Sequence, residues 1–186
     1  MTSTKRLIIF LGAMFFAAAA SYASAQERAR ADVKNADGKS VGTAEFHETK
    51  QGVVLTLRLT GMPPGLHAVH IHAVGKCEAP GFTSAGGHFN PLSMKHGLKN
   101  PGGPHAGDLP DLYVDKDGAA RYEVLTQSIT LDGDKTSVLA GNGKAIVIHA
   151  TADDNLTDPA GNSGDRIACG VIAKAAKKKT NLSLRD

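Results

Sequence analysis

The sequence predicts an all-β domain, with about eight short strands folded as an antiparallel sandwich or barrel and two long loops laid across it. Three observations lead there. Apolar residues alternate with period two, and helical periodicity is almost absent. Clusters of Gly, Pro, Asp and Asn interrupt the alternating runs at short intervals. Two longer stretches, rich in Gly, His, Asn and Asp, fit no strand at all.

The elements follow in order. Lys5 and Arg6 precede an apolar run from Leu7 to Ala20, too short for a comfortable membrane span, and Ala23-Ser24-Ala25 offers a small-x-small cleavage site. Residues 1–25 therefore read as a secretory signal peptide. The folded domain is expected over 26–173, followed by a basic tail over 174–186. Ala31–Val33 and Val41–His47 flank Asn35-Ala36-Asp37-Gly38, a hairpin with Asp-Gly at its turn. Val53–Leu59 alternates and stops at Gly61-Met62-Pro63-Pro64-Gly65. Further strands are expected over Leu66–Val74, Asp111–Val114, Ala120–Thr126, Ile129–Leu131, Ala145–Ala150 and Ile167–Ile172. Lys76–Leu109 and Thr151–Arg166 are the two loops.

Charge narrows the function classes. The chain carries +3, and loss of Lys5 and Arg6 with the signal leaves +1. The tail holds five basic residues and one acidic, so the body is weakly acidic. That argues against nucleic acid as a partner, which wants a basic folded face. The Lys177-Lys178-Lys179 run reads as a solvated tail, with weak contact to an anionic membrane surface as the alternative. Cys77 and Cys169 are the only cysteines. In an exported domain two cysteines usually pair. Closing a loop of about 90 residues would stabilise the fold by roughly 4–5 kcal/mol on a chain-entropy account. The rival, two free thiols, has no C-x-x-C pattern to support it.

Five of the eight histidines fall between Val69 and Asp108. His70 and His72 lie two apart on a strand, so both rings project from one face while Ile71 turns to the core. His149 ends another strand and can bring a third imidazole. Three nitrogens suit copper or zinc, and do not suit calcium or magnesium. His88, His96, His105 and Asp108 lie in the long loop and offer three nitrogens and a carboxylate, a plausible tetrahedral zinc set. A lone strand histidine is more often structural, and His-x-His alone is a weak signal; both sets together make coincidence a poor account. His47, beside Glu48, reads as a surface residue. His67, at odd spacing from His70, reads as a buried ring bonded to backbone.

Four separated motifs now stand in order: Gly65-Leu-His-Ala-Val-His-Ile-His72, Gly87-His-Phe-Asn-Pro91, His105-Ala-Gly-Asp108 and Gly164-Asp-Arg-Ile-Ala-Cys-Gly-Val171. Together they resemble the copper/zinc superoxide dismutases, from about Ala31 to Ala173. The signal segment and Lys76-Cys77-Glu78 resemble the bacterial periplasmic branch. The resemblance implies an eight-stranded Greek-key sandwich or flattened barrel, one copper and one zinc per subunit, and superoxide as substrate. It implies copper on His70, His72, His88 and His149, and zinc on His88, His96, His105 and Asp108. His88 would be shared by both metals, a point the spacing alone does not contain. Asp153 would link His70 to His96 from outside the ligand sets. Arg166 would stand beside the open copper position, and Cys77–Cys169 would be the disulfide that ties a loop down near it.

The same resemblance implies a catalytic cycle in which one superoxide is oxidised and a second reduced, with His88 and Arg166 as the catalytic side chains. Asn155–Ser163 contains no lysine, unlike the channel rim of many non-bacterial relatives, although Thr157 is present. Lys76, Lys95 and Lys144 are then the candidates for drawing the anion in. Two rival functions use the same fold. A non-enzymatic periplasmic copper/zinc-binding protein would not need Arg166, and a structural or adhesive sandwich would not need the histidine-rich loop. A homodimer is compatible with the sequence, which carries no mark of an additional haem site.

Overall fold

The computed structural model describes residues 27–176. The signal-peptide reading over 1–25 and the tail beyond Ala176 lie outside the described residues. Among the described residues nine strands follow in chain order: β1 Arg28–Asn35, β2 Ser40–Thr49, β3 Gly52–Leu59, β4 Gly65–His67, β5 Val69–His72, β6 Leu112–Val114, β7 Ala120–Thr126, β8 Lys144–His149 and β9 Arg166–Lys174. One 3-10 turn, Thr83–Ala85, is the only helical element among the described residues. Seven strands form an antiparallel sheet in the order β5-β8-β9-β1-β2-β3-β7, and β4 and β6 pair as a second, small sheet. Only Ala68 separates β4 from β5, and β6 lies against β7. The small sheet thus spans the gap between the two edges of the large one, giving a flattened barrel. The chain leaves β3 for β4 and returns at β7 to pair with β3, the crossing expected of a Greek key.

The alternation in the sequence is the alternation of burial. In β3, Val53, Leu55, Leu57 and Leu59 are buried, whereas Val54, Thr56 and Arg58 are not. Phe46, Ile71, Leu112, Ile146 and Ile148 complete the same core. The Asn35–Gly38 turn closes as Asp-Gly turns do. Asn35 Oδ1 accepts the amides of Asp37 and Lys39, and Gly38 takes φ 76°, where a side chain would be penalised.

Two expected strands are corrected. Leu66–Val74 is not one strand. The chain divides at Ala68, whose amide donates to Thr151 O (2.9 Å) and whose carbonyl accepts from His149 N (2.9 Å). That pinch sends β4 to β6 and β5 to β8. Ile129–Leu131 forms no strand either. Thr130 bonds within its own loop, to Thr136 and Val138, and the Leu131 amide donates to Glu48 Oε2 (2.5 Å). Ile129 and Leu131 are nevertheless buried, so their apolar pattern reports core contact without sheet pairing.

Candidate metal centre

β5 delivers His70 and His72 to one face, and Val69 and Ile71 pack into the main core behind them. His149 arrives at the end of β8, the neighbouring strand. The long loop crosses this face and is stitched to β5: Ile71 and Gly107 are bonded (2.8 Å), as are Phe89 N and Ile71 O (2.8 Å). Those bonds set His88 beside His72 and Asp108 beside His70.

Two ligand clusters result. His70, His72, His88 and His149 form one, and His70, His88, His96 and Asp108 form the other, with donor atoms in each within 4.8 Å of one another. His70 and His88 belong to both. In the second cluster His88 Nδ1, His96 Nδ1 and His105 Nδ1 lie 2.9, 3.1 and 3.4 Å from Asp108 Oδ1. His105 Nδ1 is also 3.5 Å from His88 Nδ1, so His105 converges on the same point. Ligands about 2.0–2.1 Å from a tetrahedral ion are spaced roughly 3.3 Å apart, which is the scale of this cluster. His72 Nε2 and His149 Nε2 stand 3.4 Å apart in the first cluster.

The outer hydrogen bonds decide which nitrogen carries the lone pair. His70 Nε2–H donates to Asp153 Oδ2 (2.7 Å), freeing Nδ1. His72 Nδ1–H donates to Gly86 O (2.9 Å), and His149 Nδ1–H to Gly164 O (3.2 Å), freeing both Nε2 atoms. The buried atoms His70 Nδ1, His88 Nε2 and His96 Nδ1 make no hydrogen bond, although His96 Nδ1 is close to Asp108. Buried polar atoms are rarely left so, and a metal ion satisfies all three. The donor set therefore fits two nitrogen-rich cations and fits neither calcium nor magnesium.

Electrostatics separates the two halves. Burial pushes His70 down to about 4, His72 to about 2 and His149 to about 3, so these rings are neutral and ready to ligate. Burial also lowers His105. Burial acts the same way on His96 but is outweighed by Asp108 and Asp153, which raise it to about 9. Asp108 resists its own desolvation through its close contacts with the rings of His88 and His96 and falls well below the usual carboxylate range. A pH prediction follows for metal-free protein. The neutral rings of His70, His72 and His149 contribute stability present above pH 6.5 and lost as pH falls through about 4 to 2. His96 contributes stability present below pH 6.5 and lost as pH rises through about 9. The thermal midpoint should peak near pH 6.5, and a metal ion that takes the place of the His96 proton should abolish the alkaline fall. A metal-free midpoint that stays flat from pH 6.5 to 9 would contradict this account.

Arg166 starts β9 and reaches back to the loop. Nη1 donates to Phe82 O and Nη2 to Gly86 O, both at 2.7 Å. Gly86 O therefore holds both Arg166 and His72. Cys77 and Cys169 are disulfide-bonded across 92 residues, which anchors this loop to β9. Arg166, His72, His88, His105 and His149 line a cavity of about 540 Å3, with Asp158, Asn162 and Ser163 also in its lining. Arg166 and Asp158 are the charged residues of that lining besides the histidines. Of the candidate lysines, Lys144 is buried and donates to Ala140 O and Gly143 O, Lys95 pairs with Asp158 (2.7 Å), and Lys76 is exposed.

His67 is buried, with its ring nitrogens 2.8 Å from His149 O and Pro63 O. His47 is half-buried. Sequence reasoning missed Ser163, whose Oγ lies 3.2 Å from His149 Nδ1, and the carbonyls of Phe82, Gly86 and Gly164. Backbone acceptors leave no trace in residue type; Ser163, three residues before Arg166, carried no signal of its own.

A barrel that presents two adjoining histidine-rich clusters, with the rings of His70 and His88 common to both, defines a class, the dinuclear histidine-based metalloproteins. The family model "copper/zinc superoxide dismutase" matches residues 40–172, and the chain belongs to that family. It is 48% identical over 155 residues to superoxide dismutase [Cu-Zn] 1 of Aquifex aeolicus, covering 82% of this chain and 92% of the relative. It is 44% identical to superoxide dismutase [Cu-Zn] of Caulobacter vibrioides, covering 77% of this chain and 84% of that one. Among solved structures, a SOD-like protein from Bacillus subtilis superposes with TM-score 0.74 at 42% identity, over 76% of this chain and 96% of that one.

Proposed function

We propose that this protein disproportionates superoxide, converting two superoxide anions and two protons into oxygen and hydrogen peroxide. Copper is assigned to His70, His72, His88 and His149, and zinc to His88, His96, His105 and Asp108. The observation that carries this is His88: of the two rings common to both clusters, His70 commits its Nε2 to Asp153, whereas His88 has Nδ1 beside Asp108 and a buried Nε2 with no hydrogen bond. Bound copper would supply the one-electron chemistry, and bound zinc would polarise the ring of His88. Arg166 draws the anion to the cavity and orients it with a charge that persists at any working pH. His88 Nε2 can hold and release a proton next to the substrate while Nδ1 stays fixed on the Asp108 side. Asp153 holds the His70 and His96 rings in the ligating orientation.

Export to the periplasm is part of the proposal, with 1–25 as the signal peptide, 26–173 as the enzyme domain and 174–186 as a tail able to touch an anionic membrane surface. The disulfide supports an oxidising compartment. A homodimer is supported by Leu66 and Tyr113, paired across β4 and β6 and 54% and 63% exposed.

The test is copper and zinc content with a superoxide assay on one sample, before and after chelation and copper re-addition. About one of each metal per chain, with activity lost and restored alongside copper, is the expected result. Both metals bound without turnover would leave a metal-binding protein in place of an enzyme.

A further inference from the structure

The channel wall and the metal clusters meet at Gly161. This residue is buried, in the loop after Asp153, with φ 61°. Its amide donates to Thr157 O (2.7 Å), and its carbonyl accepts from Asp154 N (2.9 Å). Its Cα faces the Asp153–His96 hydrogen bond. A Cβ at this position would overlap Asp153 Oδ1 outright and stand 2.7 Å from His96 Nε2.

Asp153 cannot step aside cheaply. Oδ1 accepts from His96 Nε2–H (3.0 Å) and from Asn155 N (2.6 Å), and Oδ2 from His70 Nε2–H (2.7 Å). The carboxylate side chain is about 1% exposed, so displaced oxygens find no water. Moving it breaks a bond to one ring in each cluster. The residues directly after Gly161 are Asn162 and Ser163, which line the cavity, and Ser163 touches His149.

We propose that Gly161 is a positioning residue: its missing side chain is the space in which Asp153 holds His96 and His70. The channel loop thereby sets the ring orientation in both clusters. This deepens the function proposed above and rests on it.

The experiment measures zinc affinity of the intact protein by competition with a chelator, alongside the visible spectrum of the copper-loaded form. Gly161→Ala is compared with Gly141→Ala. Gly141 has nearly the same backbone angle, φ 64°, but lies in an exposed turn with nothing near a built Cβ. Gly141→Ala therefore reports the cost of a left-handed alanine alone. Gly161→Ala should weaken zinc roughly 10–100-fold, the effect typical of losing an outer partner of a ligand, and shift the copper absorption band. Gly141→Ala should change affinity by less than about twofold. In an Asp153→Ala background, Gly161→Ala should add no more than Gly141→Ala does. Equal effects of the two glycine variants, or a full additional loss without Asp153, would overturn the inference. Wild-type protein that takes up no zinc would instead overturn the proposed function, so the two failures are distinct.

Discussion

His149→Ala should leave a folded protein that retains zinc but has lost copper and with it the turnover. His149 contributes one of four nitrogens to the copper-side cluster and none to the other. Its ring is packed between His72 and the channel loop, held by Gly164 O and near Ser163 Oγ. Removing it deletes a donor and opens space that water can enter. Changing an outer partner of a ligand costs 10–100-fold, so removing a ligand should lower copper affinity and activity by on the order of a hundredfold or more. The strand survives, because His149 is the last residue of β8 and the pairing of Val147 with His70 and Cys169 does not use its side chain. Copper and zinc content by elemental analysis, with far-ultraviolet circular dichroism, checks this. Normal copper content in a folded variant would remove His149 from the ligand set.

Arg166→Glu should slow the reaction at the encounter. Arg166 and Asp158 are the non-histidine charges of the cavity, and Asp158 already faces Lys95. On the proposed reading, Arg166 is therefore the cation that the anion would meet in the cavity lined by His72 and His149. Reversing it should lower kcat/KM roughly 10–100-fold at low ionic strength. The salt dependence should change sign, since screening weakens attraction in the wild type and repulsion in the variant. Arg166→Lys separates charge from geometry. It keeps the cation but loses the fork to Phe82 O and Gly86 O, so it should recover the salt dependence while leaving the loop less firmly held. An unchanged rate for Arg166→Glu at low salt would take Arg166 out of the steering role.

Much of the site was legible because metal ligation demands particular side chains. Imidazole and carboxylate cannot be replaced by apolar residues, so His70, His72, His88, His96, His105, His149 and Asp108 stand out in a chain with eight histidines. Period two on β5 was enough to aim His70 and His72 together, and the structure places both in one cluster. The surroundings of the candidate lysines were not legible. Lys76, Lys95 and Lys144 look alike as residues, but one is exposed, one is paired with Asp158 and one is buried against carbonyls. Solvation and pairing are properties of position in space.

By itself, the sequence determined the strand period, the turns at Asp-Gly, the composition of the two loops and the donor chemistry. These are local: each rests on one residue's backbone preference or on the functional groups within a short span. Only the tertiary structure decided that the chain breaks at Ala68 and that Ile129–Leu131 pairs with no sheet. It also placed Gly86 O on both His72 and Arg166, and Gly161 against Asp153. Those outcomes depend on backbone carbonyls and on space left empty, which every residue type can offer and which only packing assigns.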